Sequence, residues 1–76
     1  MICLDAVEVG TQCVVVAITA DKSLKQRLKD FGFTPGTQVR CRYASPDRQT
    51  VAIEFKGTVV ALRRSDLSGI QVQVHD

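Results

Sequence analysis

A chain of 76 residues, 45% of them hydrophobic and 24% charged, is long enough for one packed domain and too apolar for a disordered segment. Its formal net charge of +2 falls short of the clustered excess that marks a dedicated nucleic-acid binder. No charge-free stretch reaches the roughly 20 residues of a bilayer-spanning helix, and the start lacks the basic and apolar regions of a cleaved signal. A cytoplasmic domain is expected, and with Met1 at its head the chain reads as a complete small protein.

Aromatic residues make up only 5% of the chain, so the core must be aliphatic. After Gly10, the run Cys13 to Ile18 is rich in β-branched residues and apolar at every position, which predicts a strand covered on both faces. Asp21 or Ser23 then offers a helix N-cap. Leu24, Leu28 and Phe31 recur at i, i+4 and i+7, a single apolar stripe opposite Lys22, Lys25 and Lys29. Gly32 stands where a helix commonly ends on a left-handed residue, and Pro35 cannot continue it. Pro35-Gly36 therefore reads as the turn that launches the next strand.

In that strand Thr37, Val39, Cys41 and Tyr43 alternate with Gln38, Arg40 and Arg42, predicting an apolar inner face and a basic outer one. Ser45 to Gln49 is a turn cluster. Val51, Ile53 and Phe55 then alternate with Ala52, Glu54 and Lys56, and Gly57 closes a hairpin onto Thr58 to Leu62. The segment Arg63 to Gly69 breaks the pattern and predicts one helical turn, with Ser65 as cap and Gly69 as stop. Ile70, Val72 and Val74 make the last strand. Five short strands with one helix inserted after the first long strand predict a mainly β fold. Because bare sheet edges aggregate, the expected form is a small closed or nearly closed barrel with the helix across one end.

Little in the chain could carry catalysis. His75 is the sole imidazole and lies next to the C-terminus, while Asp30, Asp47, Glu54 and Asp66 are scattered over outward-facing positions, so no enzyme is expected. Neither GxxxxGK[ST] nor GxGxxG occurs, which argues against a phosphate-binding loop. Cys3, Cys13 and Cys41 lack CxxC spacing; they could meet across strands as a metal site, but plain thiols are the expectation, with no cofactor. Arg40, Arg42 and Arg48, the helix lysines and Arg63-Arg64 offer a basic surface without the interleaved aromatics that stack bases. Protein binding remains. Phe33, just past the helix stop, and Val59 and Ala61, on the second face of their strand, are candidates for exposed apolar contact. The competing expectation is that Phe33 plugs the barrel end and that Val59 and Ala61 sit beneath the helix.

The blocks Arg27-Leu28, Phe31-Gly32-Phe33, Pro35-Gly36 and Gly57 followed by Ala61-Leu62-Arg63, with Leu4, Gly10, Val39, Pro46, Ile70 and Val72 around them, resemble the FeoA family of bacterial ferrous iron uptake. Phe31 and Phe33 replace residues that are more often aliphatic there, and the cysteines match no family motif. The resemblance implies an SH3-like barrel acting as an accessory protein, with the cytoplasmic, GTPase-containing portion of the FeoB transporter as partner and the membrane reached only through it. On that reading Leu28, Gly32, Pro35, Gly36, Gly57 and Leu62 are structural. Arg27, Lys29, Phe33, Val59, Ala61 and Arg63 are the candidate partner-binding residues, with ion pairing inside the domain as the competing role for the two arginines. The alternatives are a nucleic-acid-binding or transcription-regulatory barrel module, for which no helix-turn-helix precedes the barrel, and a weak transition-metal-binding domain.

Overall fold

The computed structural model describes residues 2–74, so the expectation for His75 lies outside the described residues. Six strands form one antiparallel sheet rather than the five expected: β1 (Ile2–Cys3), β2 (Gln12–Ile18), β3 (Gln38–Ala44), β4 (Thr50–Phe55), β5 (Thr58–Arg63) and β6 (Ile70–Val74). Their order is β1-β6-β2-β3-β4-β5. A 3-10 turn at Leu4–Ala6 follows β1, the helix α1 (Lys22–Asp30) follows β2, and the four-residue helix α2 (Arg64–Leu67) follows β5. The extra strand β1 has two residues and no periodicity of its own; it exists because β6 offers it Gln71 and Val72 as partners. Strand pairing does not close the sheet, whose ends are β1 and β5. The 3-10 turn and α2 pack against each other, and against β6 and β5 respectively, across the opening.

All the long strands feed one core. Cys13, Val15, Val39, Cys41, Val51, Ile53, Phe55, Leu62, Ile70 and Val72 meet Leu24, Leu28 and Phe33 from the α1 side and Leu4 and Leu67 from the closing turns. The burial of β2 departs from the expected double cover. Cys13 and Val15 point inward, Val16 is 39% exposed, and a register shift between Val15 and Ala17 follows.

The corner after α1 is built by its own residues. Asp21 caps the helix, its carboxylate accepting from the Leu24 N–H at 2.8 Å, and Ser23 lies inside the first turn. At the far end Gly32 takes φ +85°. Its N–H donates to the Lys29 carbonyl at 2.9 Å and the Phe33 N–H to the Leu28 carbonyl at 2.8 Å, the pair of bonds that defines a Schellman stop. Phe31 does not extend the buried stripe: it is the C-cap residue, past the last full turn, and is 52% exposed. Phe33, carried two residues further by the glycine, is fully buried instead. Thr34 to Thr37 form a turn closed by the Thr37 N–H to the Thr34 carbonyl at 3.0 Å, with Gly36 at φ +94° in the position that a type II turn gives to glycine.

The β4–β5 loop is the two residues Lys56 and Gly57, at φ +51° and +77°, a type I′ geometry that matches the twist of its strands. The Lys56 ammonium then donates to the Gly32 carbonyl at 3.1 Å, tying the hairpin tip to the helix stop. In the Ser45–Gln49 turn the Asp47 carboxylate accepts from the Ser45 hydroxyl at 2.6 Å and the Gln49 N–H at 3.0 Å, which together hold its pKa below the ordinary value. One expectation for the stretch after β5 needs correction: Ser65 is not the cap of α2, whose N-cap is Arg63 without a side-chain bond. Gly69 stands at the expected stop, directly after the C-cap Ser68, with its N–H donating to the Asp66 carbonyl at 3.3 Å; a Cβ there would also lie 3.2 Å from the backbone nitrogen of Ala20, whose neighbour Thr19 donates its N–H to the Gly69 carbonyl at 2.6 Å.

Candidate functional site

The outer face of β3, β4 and β5 carries an apolar groove. Across it, Tyr43 pairs with Ala52, Ala52 with Ala61, Glu54 with Val59 and Thr50 with Arg63. Tyr43, Ala52, Val59 and Ala61, with Ser45 and Thr50 at one end, line a depression of about 210 Å³. Tyr43 is 63% and Val59 49% exposed, while Ala52 on the groove floor is 4% exposed. An ion pair between Arg42 and Glu54 at 3.3 Å and the exposed side chain of Arg63 supply polar groups at the rim. An apolar centre with an aromatic anchor and a polar margin is the usual anatomy of a protein-binding patch.

Tyr43 is on this face against expectation. The ladder between β3 and β4 shifts register between Cys41 and Tyr43, so Arg42 is an extra residue that turns the strand. Arg42 and Tyr43 then both face outward, and Ala44 packs toward the core. Bulges of this kind re-aim a side chain, and strict alternation had placed the phenol inside.

A second groove of about 370 Å³ runs between β2 and the Thr34–Pro35 turn, with Val16, Ala17 and Ile18 along one side, Lys25 and Lys29 over it and Phe33 in its floor. The expected partner-binding set is thereby divided. Val59, Ala61 and Arg63 share the outer face of β5, Lys29 borders the second groove, and Arg27 is exposed and lines neither. Phe33 leaves the set: with 0% exposure it plugs the end of the core, its ring edge-on to Phe55 at 5.0 Å and 87°. Val59 and Ala61 do not sit beneath the helix, both being exposed. Arg27 and Arg63 make no ion pair among the described residues, where Arg42–Glu54 is the pair formed.

The arginine that does bind within the domain is Arg64, which sequence reasoning passed over. Its Nε donates to the Arg48 carbonyl at 2.6 Å and its Nη1 to the Asp5 carbonyl, while its own N–H donates to the Gln49 carbonyl at 2.8 Å. It clasps the 3-10 turn, the Ser45–Gln49 turn and the end of β5 together. The doubled arginine gave no sign of which member turns inward.

The thiols do not form a ligand set; among the described residues no three His, Cys, Asp or Glu side chains converge. Cys3 lies on β1 opposite Gln71, whereas Cys13 and Cys41 are buried. Burial, helped by the nearby Cys41, pushes the Cys13 thiol up to about 11 from an ordinary value near 9. Burial raises Cys41 too, with Arg64 pulling it back. The fold thus favours the protonated thiols. Their contribution to stability is complete below pH 9 and is lost as pH climbs through 9 toward 11. The urea midpoint at fixed salt should fall over that interval, and a Cys13→Ala/Cys41→Ala variant, weaker at neutral pH, should show a shallower fall. An unchanged slope would mean that the thiols ionise without cost.

The family model described as FeoA domain matches residues 2–74. A Campylobacter jejuni protein that goes by the name Fe(2+) transport protein A is 28% identical over 71 residues, covering 93% of this chain and 96% of its own. The solution structure of the FeoA protein from Chlorobium tepidum superposes with a TM-score of 0.92 at 22% identity, over 96% of this chain and 70% of that one. The FeoA of Stenotrophomonas maltophilia, crystallised with zinc and described as an SH3 domain protein, superposes with a TM-score of 0.84 at 23% identity, over 96% of this chain and 91% of that one.

Proposed function

The chain belongs to the FeoA family, and from that premise we propose that it is a non-enzymatic accessory protein of ferrous iron uptake, working in the cytoplasm by binding the GTPase-containing cytoplasmic portion of a FeoB-type transporter. The observation that carries this reading is the outer face of β3 to β5, where an exposed tyrosine stands over alanine and valine with charged groups at the margin. The Asp47 carboxylate is engaged in shaping its own turn, and the long helix and the hairpin spend their special residues on backbone geometry. What remains for function is surface.

Pull-down of the chain by the transporter's cytoplasmic portion, with GTP and with GDP, tests the proposal. Retention in at least one nucleotide state is expected. Tyr43→Ala should weaken it by about tenfold or more, the loss typical of an aromatic anchor, while leaving the melting temperature nearly unchanged because the ring is exposed. Lys29→Glu, beside the other groove, should have little effect. Absence of retention in both states would overturn the partner; a reversed ranking of the two variants would move the contact to the groove between β2 and the Thr34–Pro35 turn.

A further inference from the structure

We propose that β5 is a dimerisation edge, along which a second copy of the chain adds its own β5 antiparallel, centred on Ala61. The sheet has two ends. One is β1, two residues long and turned at once into the 3-10 turn; the other is β5, six residues long, with no strand beyond it among the described residues. A free edge of that length is a template for another strand unless proline, charge or a bulge blunts it. Thr58–Arg63 holds no proline and no charge before Arg63, and its ladder with β4 runs without a shift from Phe55 opposite Thr58 to Thr50 opposite Arg63.

The register identifies which groups are free. Around a two-residue loop the flanking pair, Phe55 and Thr58, exchange hydrogen bonds, so Val60 and Leu62 also direct theirs to β4. Two bonds beyond the ladder agree with this parity. The Arg64 N–H donates to the Gln49 carbonyl at 2.8 Å, and the Thr50 carbonyl turns the other way to accept from the Ser45 N–H at 2.8 Å. Val59, Ala61 and Arg63 therefore direct their N–H groups outward, with the carbonyls of Val59 and Ala61; the Arg63 carbonyl belongs to the start of α2.

A second copy suits this edge. A two-fold axis at Ala61 sets the smallest side chain of the strand against itself, where bulk from two copies would collide. It sets Val59 against Arg63, so the two arginines never meet and each aliphatic stem covers a valine. On the inner face Val60, packed on the core but half-buried, gains Leu62 of the copy as a neighbour. Such an isologous contact makes about four backbone hydrogen bonds. One short edge buries less than the ~1,200 Å² of a standard interface, so the dimer is weak, with Kd on the order of 0.1 mM. The contact uses the rim of the sheet and leaves Tyr43 open, but it covers Val59 at the margin of the outer groove, so a dimer and the transporter would compete for that margin; sedimentation of the chain alone tests the dimer whatever the outcome of the pull-down.

Sedimentation equilibrium of the chain under reducing conditions, from about 10 µM to about 1 mM, should show the mass rising from 8.3 kDa toward twice that value. Amides of Val59, Ala61 and Arg63 should exchange more slowly at the higher concentration. Ala61→Pro removes an N–H that has no partner inside the domain, as edge strands tolerate; it should keep the native circular dichroism and remain monomeric. Val59→Glu, facing Arg63 in this register, should tighten the dimer by about fivefold, whereas a contact driven by apolar surface alone would weaken. A monomer at every concentration, a dimer that survives Ala61→Pro, or one loosened by Val59→Glu would each overturn the proposal.

Discussion

Phe33→Ala is expected to lower the melting temperature by roughly 15–30 °C. The ring has no exposure and stands edge-on to Phe55 at 5.0 Å, between α1 and the β4–β5 hairpin. Truncating a buried phenylalanine removes its transfer energy and leaves a cavity, together about 3–5 kcal/mol. A domain of this length has only about 4–11 kcal/mol in hand, so the variant sits close to unfolding at ordinary temperature. The walls cannot close on the gap readily, because the Schellman bond from Phe33 to Leu28 and the hairpin turn fix them on both sides. Phe33→Leu, which keeps most of the volume, should cost less than half as much. A fall of under about 5 °C for Phe33→Ala would show that the ring contributes little to the core, and would return Phe33 to the candidate contact residues.

Arg64→Met should cost about 2–4 kcal/mol, for two hydrogen bonds from a charged donor, the one to the Arg48 carbonyl exposed and the one to the Asp5 carbonyl partly buried. Methionine preserves the stem that packs against the turn, so the loss reports the guanidinium. Arg64→Lys should recover less than half of it, since a single ammonium cannot reach the Arg48 and Asp5 carbonyls with the spread of a fork. Urea midpoints at neutral pH measure both variants. Wild-type stability for Arg64→Met would mean that the 3-10 turn and α2 hold the opening of the sheet through Leu4 and Leu67 alone. The effect should be larger than that of any other surface arginine, because residues 5 and 64 lie 59 positions apart and no other side-chain hydrogen bond between described residues spans as much sequence.

The corner from Asp21 to Thr37 was legible in the sequence because each of its features is local. A capping carboxylate, a glycine after the last helical turn and a Pro-Gly pair each impose their geometry within four residues. The Lys56-Gly57 hairpin was legible for the same reason. The misreadings share the opposite cause. β1 forms only because β6 is there to receive it, and Tyr43 faces out because β3 holds one residue more than β4 requires. Phe31 is exposed because it stands one position past the helix end, in backbone that no longer turns at 100° per residue, whereas Phe33 takes the plugging role that stood as the competing expectation for it. Arg64 was invisible because its partners are carbonyls in two distant turns, and carbonyls have no letter in the sequence. Of the site, Val59 and Ala61 came from the strand pattern, but the aromatic that gives the groove its depth did not.

The additional residue at Arg42 makes strand length, as much as composition, a determinant of what this domain shows to its surroundings. Deleting that one codon would leave the phenol where it is: Cys41 and Tyr43 would then stand consecutively opposite Ile53 and Ala52, so plain alternation would keep Cys41 inside, Tyr43 on the outer face and Ala44 toward the core. What would vanish is the guanidinium that pairs with Glu54, together with the local bend that the surplus residue puts into β3. The insertion thus lets the domain wear one more charged group on its coat without disturbing the lining beneath.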